Sequence, residues 1–208
     1  MQYKLLSFSQ NDYEIIKREV LYQGFFRFVR YHLRHRTYGG EWSNEFSREI
    51  LERSPAAAIL PYDPILDHVV LIEQFRPGAI SNPQSPWLIE IVAGIYNGNE
   101  RPTEVAEREA SEEAGCKILD LYHICEYFVS PGGSNEHLHL YCGRVDAADA
   151  GGLHGLTEEH EDIQAFVVSS DEAFKMVQEG KIKTAPAIIS LQWLQLNREW
   201  LRQLWQTK

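Results

Sequence analysis

The 208-residue sequence predicts a mixed α/β fold, a mixed sheet with helices on both faces, preceded by an N-terminal antiparallel β segment. Three observations predict it. Short apolar and β-branched runs recur between turn signals from Pro55 to Ser170. A helical pattern over 103–114 is embedded between such runs, and two more helical patterns close the chain.

The elements follow in order. Residues 13–53 alternate aromatic and β-branched residues, as in FFRFVRYHLRHRTY, and run into Gly39-Gly40, so they read as antiparallel strands turning at those glycines. This stretch is short for an independent core, and its Phe and Tyr content predicts packing on another surface, such as a second subunit. AAAILPYD and HVVLIEQFRPG read as strands separated by the turn signal Asp63-Pro64. PWLIEIVAGI (86–95) reads as a third strand leading into Gly94. The helix over 103–114 has Pro102 and Thr103 as start signals and Gly115 as its C-cap. KILDLYHICEYFVSPGG and HLHLYCGRVD carry two further strands, 147–162 reads as a loop of small and acidic residues, and IQAFVVSS as a strand. DEAFKMVQEG is an amphipathic helix between Asp171 and Gly180, and a last helix runs from Thr184. The division falls into 1–54, the β segment, and 55–208, the main domain.

Composition narrows the function classes. Hydrophobic residues at 44% and charged residues at 24% are ordinary for a soluble globular protein. No apolar run approaches 18 residues, and the N-terminus lacks the apolar core of a signal peptide, so neither a membrane span nor secretion is expected. Cys116, Cys125 and Cys142 form an odd set without CxxC spacing, which fits a reducing cytoplasm and speaks against disulfides or a zinc site. A formal charge of −10, with basic residues scattered apart from Arg27, Arg30, Arg34 and Arg36, speaks against nucleic acid as the main partner. An acidic protein acts on phosphates readily when metal ions bridge the two sets of anions.

The most informative segment is GIYNGNERPTEVAEREASEEAGC, residues 94–116. On a helix, Glu109, Glu112 and Glu113 stand at i, i+3 and i+4 on one face. Like charges so placed cost about 0.2–0.5 kcal/mol per pair. Glu112 and Glu113 also fall in the last turn, where the helix dipole disfavours negative charge. A hard divalent cation reverses the sign of both effects, because carboxylate oxygens are its preferred ligands.

The frame Gly94, Glu100, Arg108-Glu109, Glu112-Glu113, Gly115 resembles the signature of the Nudix hydrolases, which cleave nucleoside diphosphates linked to another moiety. Ala110 and Cys116 depart from it, standing where the pattern has a bulkier aliphatic residue; Ala106, Ala110 and Ala114 form a small-residue stripe suited to close packing on the sheet. The resemblance implies an α/β/α sandwich. It implies Mg²⁺, two or three ions with Mn²⁺ able to substitute, bound by Glu109, Glu113 and the backbone carbonyl of Ala93. Glu112 is then a further ligand or catalytic carboxylate beside them, Arg108 orients a glutamate, Gly94 permits the sharp loop and Glu100 braces it.

The resemblance spans nearly the whole chain and is strongest to the branch of the family acting on ADP-ribose, where Pro131 in SPGGSNE, 16 positions past Gly115, also matches. Glu158, Glu159, Glu161 and Asp162 supply a second set of carboxylates; the residues alone leave open which is the base, and the resemblance implies Glu159 as base and Glu161 as a further metal ligand. It also implies Arg48 and Arg76 on the diphosphate, and a cytoplasmic homodimer whose N-terminal segment serves dimerisation and substrate binding. Phe25 and Phe26 are candidates for stacking on adenine or, as strand aromatics, for the core, and Glu136 is a candidate for the terminal ribose or simply faces water. The expected reaction is hydrolysis of ADP-ribose to AMP and ribose 5-phosphate. A Nudix hydrolase for another nucleoside diphosphate sugar, and a non-catalytic nucleotide sensor, are the competing readings. His137 and His139 share a strand face, but no third ligand is spaced to join them, so they read as structural.

Overall fold

The computed structural model describes residues 8–96, 99–148 and 150–206. The chain divides into two compact units, one of residues 1–54 with Phe128–Glu136, the other of Pro55–Tyr127 with the chain from His137 onward. The segment 128–136 thus groups with the N-terminal residues rather than with the main domain expected from sequence. Its backbone explains this: the Leu51 N–H donates to the Gly133 carbonyl at 2.9 Å, and the Arg53 N–H donates to Asn135 Oδ1 at 2.7 Å.

The first unit is an antiparallel sheet in the order β1 (Tyr13–Gln23), β2 (Arg27–His35), β3 (Phe46–Glu52). The β1–β2 turn falls at residues 24–26, so Phe25 and Phe26 are not strand residues. Gly39-Gly40 lie in the β2–β3 connection, with Gly40 at φ +90°. Three of the grouped arginines meet carboxylates on neighbouring strands, Arg27 with Glu52, Arg30 with Glu49 and Arg34 with Glu14.

The second unit contains β4 (Ala56–Asp63), β5 (His68–Phe75), β6 (Trp87–Glu90), β7 (Val92–Ile95), α1 (Pro102–Ala114), β8 (Asp120–Phe128), β9 (His137–Arg144), β10 (Gly152–His154), β11 (Ile163–Ser169), α2 (Ser170–Gln178) and α3 (Ala185–Gln206). The sheet order is β10-β11-β5-β4-β9-β8, and β4 and β9 run parallel. The expected loop 147–162 therefore contains a short edge strand, whose glycines hid it from a hydropathy reading.

One irregularity positions the site. β4 and β5 pair only beside their turn, at Tyr62–Val69 and Asp63–His68, and then diverge. The buried Asp63 fixes that turn by accepting from the Ile65 and Leu66 N–H groups at 2.8 and 3.0 Å. The segment expected as one strand, 86–95, fills the gap as two: β6 pairs with β5, β7 pairs with β4, and Ile91 lies between.

Every residue of β4 is buried, and its side chains alternate between two cores. Ala56, Ala58, Leu60 and Tyr62 join α2 and α3 with Leu191, Leu194, Leu201 and Trp205. Ala57 and Ile59 join the α1 side with Val105, Ala106, Ala110 and Ala114. Helix α1 begins with Pro102 in its first turn and ends at Gly115, φ +63°, where the Gly115 and Cys116 N–H groups donate to the Ser111 and Ala110 carbonyls. Its alanine stripe has no exposed surface. Replacing Ala110 by Leu inserts three carbons where none fit and is expected to cost about 1–3 kcal/mol, read as a lower urea midpoint at unchanged m-value.

Candidate active site

The short side chains of α1 bring its glutamates against β7. Gly94 shows how closely: a Cβ there would lie 1.9 Å from Glu109 Oε1 and 2.1 Å from its Cδ. Only glycine leaves Glu109 its place, so the glycine serves a close approach as much as a turn.

Glu113, one turn further, is 3% exposed. Its Oε2 accepts from the Ala93 N–H at 3.0 Å. β7 pairs with β4 on one side, and an extended residue's N–H and C=O point to the same edge. The Ala93 carbonyl therefore lies on the same edge of β7 as the N–H that reaches Glu113. Burial pushes the Glu113 carboxyl up to about 8, opposed by the Ala93 N–H and reinforced by Glu109 and Glu161, with Arg76 pulling the other way. Burial also raises Glu109, against the pull of Arg108 and with Glu112 and Glu161 adding to it.

Arg108 reaches both neighbours, 2.9 Å to Glu109 and 2.8 Å to Glu112. It bridges two carboxylates on the same helix. Glu100 is exposed, ahead of α1.

The acidic loop docks on the end of α1. The Gly155 N–H donates to the Glu112 carbonyl at 3.4 Å, and at Gly115 a Cβ would meet His154 Cε1 at 2.8 Å. The Leu156 N–H donates to Glu161 Oε2 at 3.3 Å. The charge of Glu161 acts on Glu109 and Glu113, so carboxylates from two segments distant in sequence influence one another. Glu159 closes the 3₁₀ turn Thr157–Glu159; its side chain lies outside the described residues. Arg76 pairs with Glu90 at 2.8 Å. Sequence reasoning missed Glu90, although a lone glutamate inside the apolar run WLIEIV was the available signal.

A chain match to the NUDIX domain model covers residues 52–188. The chain belongs to the Nudix family. It is 47% identical over 200 residues to the ADP-ribose pyrophosphatase of Escherichia coli K12, covering 96% of each chain. It is 45% identical over 201 residues to the ADP-ribose pyrophosphatase of Haemophilus influenzae, covering 95% of this chain and 93% of that one. A solved structure titled "Crystal structure of ADP compounds hydrolase" matches the fold with a TM-score of 0.68 at 19% identity, over 95% of this chain and 98% of that one. The Nudix fold thus agrees with the mixed sheet between helices described above.

Three of the expected residues belong to the first unit. Arg48 is exposed, donates to the Ser47 carbonyl and stacks on Phe46. Phe25 is 88% exposed at its turn and meets Phe26 edge to face. Glu136 does not simply face water: it accepts from Arg53 at 2.8 Å. Beside Gly132 and Gly133 there is open space within the chain.

His137 and His139, read from the sequence as structural for want of a third ligand, have a carboxylate beside them. Glu126 joins them, with one ligand-type atom from each residue within 4.8 Å of the others. The strand pairing of β8 and β9 brings them together, which spacing within one strand could not reveal.

The raised Glu113 carboxyl has a definite sign. Between the ordinary glutamate value of 4.5 and about 8, the folded protein holds a proton that the unfolded chain has released. Stability without metal therefore falls as pH rises through that window. Glu113→Gln removes this dependence: in EDTA the variant is expected to melt above the parent at pH 8, the gap closing toward pH 5, and parallel melting curves across this range would refute the assignment.

Proposed function

We propose that this Nudix protein is a hydrolase that cleaves the diphosphate of ADP-ribose, releasing AMP and ribose 5-phosphate. The observation that carries the reading is the convergence of Glu109, Glu113 and Glu161 beside Ala93 and Gly94, joined to full-length similarity to proteins named for that activity. Buried carboxylates with one N–H and one bridging arginine for compensation suit a hard divalent cation. Magnesium fits the oxygen-only donor set of these three glutamates and the Ala93 carbonyl; manganese fits it too, and we take two or three ions to be the complement. Bound there, the ions polarise the diphosphate and neutralise its developing charge.

The chain's own groups do the rest. Arg108 holds Glu109 and Glu112 in place, and Glu112 serves as a further carboxylate of the catalytic set. Arg76 turns from Glu90 to the diphosphate, where its planar fork bonds phosphate oxygens in pairs; Arg48 grips the same group. Glu159 takes the proton from the attacking water. Phe25 stacks on adenine and Glu136 binds the terminal ribose. The first unit serves substrate binding and a homodimer, whose interface would cover the half-exposed Ile15, Ile16, Val20 and Tyr22 of β1. The second unit is the catalytic domain. Among the described residues no helix is long and apolar enough to cross a membrane. We place the protein in the cytoplasm, with neither nucleic acid nor membrane as partner.

A panel of nucleotide sugars with product identification tests the reading. ADP-ribose should yield AMP and ribose 5-phosphate in equal amounts and be turned over far faster than other nucleoside diphosphate sugars; a faster rival substrate would displace it, and binding without turnover would indicate a sensor. Glu113→Gln, folded, should lose about 10²-fold or more in kcat at saturating Mg²⁺. Near-parental hydrolysis by that variant would remove Glu113 from the site.

A further inference from the structure

A second group of ligand-type side chains lies on the main sheet, apart from the glutamates of α1. Glu126 stands on β8, and His137 and His139 on the neighbouring β9. His139 Nδ1 is 3.3 Å from a Glu126 carboxylate oxygen. The two imidazoles meet edge to face with centroids 4.9 Å apart. They share a face because alternate strand residues do. That face is the one α1 covers: His139 is in register with Ala57 of β4, whose side chain joins the α1 core. Ala57 is in turn in register with Gly94. Two strand spacings of about 4.8 Å put His139 ~10 Å from Gly94 along the sheet. The Tyr96 ring, two residues past Gly94, lies 6.1 Å from the His139 ring.

We propose that Glu126, His137 and His139 form a second divalent-metal site, for a transition ion of the zinc class, separate from the site built by the glutamates. The donor chemistry decides the class. Two imidazoles with a carboxylate suit zinc, nickel or copper, whereas magnesium prefers oxygen alone. The geometry is nearly in place. Ligands around a tetrahedral zinc at about 2.0–2.1 Å stand roughly 3.3 Å from one another. Here the three ligand atoms are already within 4.8 Å. The half-buried strand holds both histidines, and the exposed Glu126 has the freedom to close the remaining gap. Three protein ligands at a partly exposed surface leave a position for water, the open type of zinc site rather than the closed structural type. None of the three residues has a part in the proposed hydrolysis, so the two sites separate by mutation.

The test uses the full chain, stripped of metal, titrated with Zn²⁺ against a chromophoric chelator in saturating Mg²⁺. One zinc per chain should bind, and Glu113→Gln should bind it as tightly as the parent. Glu126→Gln should weaken zinc about tenfold and the His137→Gln/His139→Gln pair roughly 100-fold, while Mg²⁺-dependent hydrolysis without zinc stays at the parental level. Co²⁺ in place of zinc should give a visible absorption band that the histidine pair abolishes. Zinc affinity unchanged in Glu126→Gln and in the histidine pair, or lost in Glu113→Gln with the histidines intact, overturns the proposal. Should the histidine pair fail to fold by circular dichroism, the exposed Glu126 position decides alone.

Discussion

The structure depends on how closely α1 lies on β7. Ala106, Ala110 and Ala114 remove the side chains that would hold the helix away, and Gly94 removes the one that would collide with Glu109. The result is a glutamate, Glu113, almost wholly withdrawn from water and met, among the described residues, by one backbone N–H. A buried carboxylate so poorly compensated is costly on its own. A cation in the gap converts the cost into binding energy, and the same glutamates that weaken the helix by mutual repulsion become its purpose.

That contact exists because of a break in the sheet. Were β4 and β5 paired along their length, β7 would have no place beside β4, and Ala93 could not turn its N–H toward the helix. The turn at Asp63 starts the hairpin, the divergence that follows admits β6 and β7, and α1 is the next helix after β7 in the chain. The acidic loop reaches the same corner by a separate route, through the Gly155 bond to the last turn of α1 and the contact of His154 with Gly115. A carbonyl that the helix end leaves unpaired thereby becomes an anchor for Glu161.

What could be read from the residues follows from this physics. The helix, its cap at Gly115, its alanine stripe and its glutamate face were legible because each depends on neighbours within four positions. So were the main strands, whose apolar runs are long and bounded by Pro, Gly and Asp. The break at Ile91 was not legible, because WLIEIVAGI carries no local signal for changing partners. β10 was hidden by its glycines and its position at the sheet edge. Glu90 stood out as a lone glutamate in its apolar run, but its pairing with Arg76, just past β5, like that of Glu126 with His139 across β8 and β9, depends on strand register, which a single sequence does not express.

The same reasoning separates the chemistry from the choice of substrate. The proposed metal-binding set is confined to the second unit and largely to one helix and the strand before it, so its spacing is recognisable in the sequence. The residues expected to select the nucleotide, Phe25, Arg48 and Glu136, sit in the first unit on a turn, a strand and a loop joined by long-range pairing. Glu136 is already engaged by Arg53, whose guanidinium also lies 4.7 Å over the Phe26 ring beside Phe25. A ligand that took the carboxylate of Glu136, as we propose for the terminal ribose, would have to compete with or complete that ion pair. On that reading selectivity rests on a pairing that neither the box of glutamates nor any short motif encodes, which is compatible with one box serving many substrates.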